Sequence, residues 1–153
     1  MKFLIIISLL FLVSCESDYF AYFGNHGRAK VSISTDPDYL NWELDIKDID
    51  LITMVHIHCL PSNAVGVTFN TAFNLITANG PTIKGTAVTP DKGNFCGWLR
   101  MEDVKKSIKE GNAYINIHNY AKPAGFVQAP LLHVSVLNPE RWGAFFSRLE
   151  NRN

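Results

Sequence analysis

Six consecutive residues, Met54-Val55-His56-Ile57-His58-Cys59, place two imidazoles and a thiol in a stretch that reads as a strand. Successive side chains of an extended chain point to opposite faces, so Val55, Ile57 and Cys59 share one face while Met54, His56 and His58 share the other. The first is a core face. The second sets ring nitrogens side by side, as a metal site or a buried hydrogen-bond network requires. A third imidazole has the same setting: in Asn112 to His118, Ile115 and Ile117 take one face, and Tyr114, Asn116 and His118 the other. His56, His58 and His118 are therefore candidate ligands for copper or zinc, with catalysis open to them only if a coordination position stays free. That geometry requires the two strands to be neighbours. In the competing reading, Tyr114 and Asn116 partner the three imidazoles in a polar network that fixes strand register. His26 and His133 are ligands by type alone.

Other chemistry finds little support. The chain has no Gly-rich phosphate loop, no G-x-S-x-G elbow and no H-E-x-x-H helix, and no residue is assigned a catalytic role. Asp36 with Asp38, and Asp48 with Asp50, flank turns, where Asp is common without calcium. Fourteen basic residues balance 14 acidic ones with no basic run, so the electrostatic footprint of a nucleic-acid binder is missing. At 153 residues the chain suits one domain.

Residues 1–15 read as an export signal rather than as part of the fold. Lys2 precedes the apolar run Phe3 to Val13, which is too short for a permanent membrane span. The segment ends in Leu12-Val13-Ser14-Cys15, which resembles the bacterial lipobox, whose cysteine is acylated. Lipidation of Cys15 would hold the protein at a membrane surface, facing the cell exterior or periplasm. An ordinary secretory cut near Ser14 or Cys15 is the alternative and would leave an extracellular protein. Either way Cys59 and Cys96 remain, and an even pair in an oxidising compartment favours a disulfide. A thiolate metal ligand at Cys59 is the rival reading. The opposite face taken by its side chain counts against it.

The elements that position these residues are mostly short strands. Residues 16–27 read as a tether or a loosely held entry strand. Ala29 to Thr35 and Tyr39 to Ile46 alternate and form a hairpin about Asp36-Pro37-Asp38. After the loop Asp48 to Leu51 comes the His-bearing strand, ended by Pro61-Ser62-Asn63. Val65 to Phe69, Phe73 to Ile76 and Ile83 to Val88 follow, with turns at Asn79-Gly80-Pro81 and Pro90 to Gly93, and Phe95 to Leu99 carries Cys96 toward the core. Turns this frequent indicate a β-sandwich or barrel. One short helix interrupts, with Met101, Val104 and Ile108 inward, acids in its first turn, Gly111 closing it, and Lys105, Lys106 and Lys109 as a solvated face. Pro123-Ala124-Gly125 reads as a turn into Phe126-Val127-Gln128 and then Leu131 to Leu137. In residues 138–153, Asn138 caps a helix whose stripe of Trp142, Phe145, Phe146 and Leu149 docks on the sandwich or, alternatively, touches membrane or a partner.

Three pieces line up: His56-Ile57-His58-Cys59, then Phe95-Cys96-Gly97-Trp98-Leu99 before a helix, then Gly111 to His118 with Gly125 seven residues on. This order resembles the CHRD domain, a module named for chordin and also found alone in exported microbial proteins. The resemblance covers roughly residues 28–132, and the domain is read as 28–137. It implies an antiparallel β-sandwich of superoxide-dismutase or immunoglobulin-like architecture and an exported setting. The activity it implies is largely undefined, with chordin itself antagonising growth factors outside the cell. Where the family usually carries Glu-Ile-Arg-Gly after the late Gly, this chain has Phe126-Val127-Gln128-Ala129. A thinner likeness joins His56, His58 and His118 to copper ligands of copper-zinc superoxide dismutase. No His lies between Cys59 and Ile117, so the zinc loop has no counterpart. The expectation is a non-enzymatic exported binding or surface module with an extracellular protein ligand; the alternative is a histidine-based copper or zinc protein with redox activity.

Overall fold

In the computed structural model the described residues are 16–34, 38–69 and 82–136. The segment read as an export signal with Cys15, most of the residues read as the Asp36-Pro37-Asp38 turn, the expected Phe73 to Ile76 strand and Asn79-Gly80-Pro81 turn, and the expected C-terminal helix lie outside them. Nine strands make two antiparallel sheets among the described residues. The first contains β1 (Ser17–Tyr22), β2 (Gly27–Ile33), β3 (Leu40–Ile46), β6 (Ile83–Ala87) and β9 (Leu132–His133), in the order β6-β3-β2-β1-β9. The second contains β4 (Ile52–Cys59), β5 (Val65–Thr68), β7 (Ala113–Asn119) and β8 (Lys122–Pro130), in the order β5-β4-β7-β8.

Alternation explains how the sheets meet. Ala29, Val31, Leu40, Trp42 and Leu44 of the first sheet and Val55, Ile57, Ile115 and Ile117 of the second belong to one buried cluster. These apolar residues, most of them β-branched, fill a pleated, two-sided interior well, as a sandwich requires. The Trp42 ring stacks on Phe69 at 4.6 Å and lies over Gly85, its cross-strand partner, where an added Cβ would stand 2.2 Å from the ring. Only glycine leaves that space.

Cys59 and Cys96 form a disulfide with Cα atoms 5.7 Å apart. It ties the end of β4 to the loop before the helix α1 (Met101–Lys109). Asp103 Oδ2 accepts from the N–H groups of Leu99 and Arg100, both at 2.9 Å, and Met101, Val104 and Ile108 are buried as their spacing predicts.

Several expectations are corrected. Of the two readings of residues 16–27, the structure makes 17–22 the entry strand and not a tether, and the strand is not loosely held: β1 pairs with β2 along its whole length and with β9 on its other side. Tyr19 and Ala21 reach the core, an inward alternation masked in the sequence by the surrounding acids and aromatics. Lys105 is not part of a solvated face. Its buried ammonium donates to the Ser34 carbonyl at 2.8 Å and pairs with Asp38 at 3.0 Å, joining α1 to the β2–β3 connection. Pro123-Ala124-Gly125 is not the turn either; the chain reverses at Tyr120-Ala121, and these three residues open β8. Proline is tolerated there because β8 is an edge strand. Among the described residues beyond Pro130, only Leu132–His133 is extended, and a 3-10 turn follows at Val134–Val136.

Candidate metal centre

β4 and β7 are direct neighbours, as the three-imidazole reading requires. Their register sets Met54 opposite His118, His56 opposite Asn116 and His58 opposite Tyr114. With Val55, Ile57, Ile115 and Ile117 fully buried between the sheets, the polar residues fall on the outer face of the second sheet. That face is not open to water at the histidines: His56, His58 and His118 are each 7% exposed. The Pro61 to Ala64 turn and the first residues of β8 close on it from either side, and each supplies one backbone acceptor.

Those acceptors set the proton positions. His58 Nδ1 lies 3.0 Å from the Asn63 carbonyl and His118 Nδ1 lies 2.9 Å from the Pro123 carbonyl. A carbonyl only accepts, so both Nδ1 atoms carry hydrogen and, in the neutral rings, both Nε2 atoms carry lone pairs. His56 Nδ1 sits 3.1 Å from His118 Nε2 and must be the donor in that contact. His58 Nε2 is buried with no hydrogen-bond partner. One ring nitrogen from each of the three histidines lies within 4.8 Å of the other two. Ligands at ~2.0–2.1 Å around a tetrahedral ion stand ~3.3 Å apart, so the closest pair already has that spacing and the remainder needs small ring rotations. Backbone carbonyls fixing the non-ligating nitrogens are the outer-shell arrangement that orients metal-bound histidines.

The local electrostatics favour neutral rings. Burial pushes the His56 imidazole down to about 4, with His118 and then His58 adding to the drop and Asp91 opposing it. Burial also lowers His58, against the raising effect of its bond to Asn63. Neutral imidazole is the ligating form.

The expected polar network is present with different members. Tyr114 stacks its ring on His58 at 4.9 Å, and Asn116 packs under Gly125, so the imidazoles take their partners from each other and from the two carbonyls. Gly125 has φ +131°, and an added Cβ would stand 2.8 Å from the Asn116 amide, so the motif glycine is a place of close backbone approach. Sequence reasoning also missed Asp91, whose carboxylate accepts from the Thr68 amide at 3.0 Å and hydroxyl at 2.6 Å and clamps the edge of β5. Neither His26 nor His133 joins the cluster. His26 meets Phe126 edge to face, and His133 packs on Tyr19.

Two facing antiparallel sheets with a histidine cluster on the outer face of one define a β-sandwich domain with a potential metal centre. A model of the CHRD domain family matches residues 17–129. The chain belongs to the CHRD domain family, and the match begins at β1, in the segment read from sequence as a tether or a loosely held entry strand. No curated protein and no solved structure matches the chain.

Proposed function

We propose that this CHRD-domain protein is an exported, non-enzymatic binding module, anchored to a membrane through a lipid on Cys15, whose binding element is a three-imidazole site for a copper or zinc ion. The observation that carries the metal reading is His58 Nε2, a buried lone pair without a partner, in a cluster where one ring nitrogen from each of three histidines lies within 4.8 Å of the other two. Leaving a buried polar atom unpaired costs about 1–3 kcal/mol, a cost that a bound ion removes. To serve as a ligand through Nδ1, His56 carries its proton on Nε2 and gives up its bond to His118. The signal-like segment before Cys15 supports export, and the disulfide suits an oxidising compartment.

The second reading, a purely structural network, is favoured by the 3.1 Å bond between His56 and His118, which already links β4 to β7. Metal stoichiometry of the purified mature protein, beside a variant with His56, His58 and His118 changed to Ala, separates the two. One ion per chain that the variant lacks upholds the site. A wild type that takes up no copper or zinc, with a variant that merely unfolds more easily, leaves the network.

A further inference from the structure

We infer that Met54 is the fourth donor of this centre and makes it select copper, held as Cu(I), over zinc. This rests on the three-imidazole reading and narrows it. Met54 shares the outer face with His56 and His58 because it alternates with buried Val55, and it is the direct cross-strand partner of His118. Opposite residues of an antiparallel pair have Cβ atoms about 4.5–5.5 Å apart, so the thioether starts beside one ligand and two residues from another. The other outer residues of β4 beyond it are buried, whereas Met54 is 42% exposed. It thus stands at the solvent-facing rim of the three-imidazole cluster. An unbranched methionine there has the flexibility to swing its sulfur inward, and it is not committed to the core.

The donor chemistry gives the selectivity. Three neutral imidazoles and a thioether bring no negative charge, and the one carboxylate that acts on His56, Asp91, is engaged by the amide and hydroxyl of Thr68. Zinc sites draw on thiolate, imidazole and carboxylate, while a soft thioether favours Cu(I).

The test compares the mature protein with Met54→Leu, which keeps the size and removes the sulfur. Cu(I) affinity is read by competition with bicinchoninate under ascorbate, which spares the disulfide, and Zn(II) affinity by competition with a chromophoric chelator. The expected result is a loss of Cu(I) affinity of about tenfold or more in the variant, at least what displacing an outer-shell partner costs. Zn(II) affinity should stay within about threefold, under half a tenfold step in free energy. X-ray absorption should show sulfur bound to copper in the wild type alone. Equal Cu(I) affinities with no sulfur at the copper overturn the role of Met54 and leave the three imidazoles standing. A folded wild type that binds neither ion overturns both.

Discussion

Acidification isolates the state of the imidazole cluster. The His56 ring falls from 6.5 to about 4 chiefly because it is buried, with His118 and His58 adding to the drop. Above pH 6.5 neither the folded nor the unfolded chain protonates this residue, so its contribution to stability is complete. As pH falls below 6.5 the unfolded chain takes up the proton first, and stability is lost until the folded ring protonates near pH 4. At about 1.4 kcal/mol per unit, the drop sets a ceiling of about 3 kcal/mol. Relaxation and water penetration around the charged ring reduce this to roughly 1–2 kcal/mol. The assay is urea unfolding of the metal-free protein from pH 7.5 to 3.5 beside His56→Gln, which keeps a donor for His118 without titrating. Carboxylates common to both proteins cancel in the difference. The stability advantage of the wild type over the variant should shrink by roughly 1–2 kcal/mol between pH 6.5 and 4. Parallel curves, or a His56 ring that NMR finds protonated at pH 6, would refute the reasoning.

Three further outcomes follow from the packing. Replacing Cys59 and Cys96 together by Ala opens a 37-residue separation and should cost about 4 kcal/mol by chain entropy, read as a fall in urea midpoint; an unchanged midpoint contradicts it. Gly125→Ala should destabilise by about 1–3 kcal/mol through its φ of +131° and the Asn116 contact, and more than Gly93→Ala, where nothing lies within 4 Å. Equal losses would remove the close-approach argument. Lys105→Ala strips the Ser34 carbonyl of a buried donor and should cost about 1–3 kcal/mol. The exposed Lys106→Ala should stay within about 0.5 kcal/mol, and thermal unfolding of the two variants compares them directly.

The strands at Ala29 to Ile33, Leu40 to Ile46, Ile52 to Cys59 and Ala113 to Asn119 were legible because period-two alternation is a local property, and burial acts on it directly. The neighbouring of β4 and β7 was not a local property, yet the shared placement of imidazoles opposite aliphatic residues pointed to it. What escaped was written in the backbone or at long range. The Asn63 and Pro123 carbonyls fix two tautomers, but every residue has a carbonyl, and no side-chain type marks those two. Lys105 stands four residues after Met101, on the buried side of α1, and only its lysine type hides that; Ser34 and Asp38 of another element take its ammonium. Pro123-Ala124-Gly125 has turn composition, but the strand edge tolerates the proline and the Asn116 side chain requires the glycine.

The central claim is that His58 holds a lone pair on Nε2 for an ion shared with His56 and His118. Long-range nitrogen-proton NMR of the imidazoles, recorded before and after one equivalent of zinc, reads it directly. The account predicts a His58 ring protonated on Nδ1 in the free protein, with its Nε2 resonance shifting to a metal-bound value at one equivalent. A proton on His58 Nε2, or a resonance that neither zinc nor one equivalent of Cu(I) moves, would contradict it.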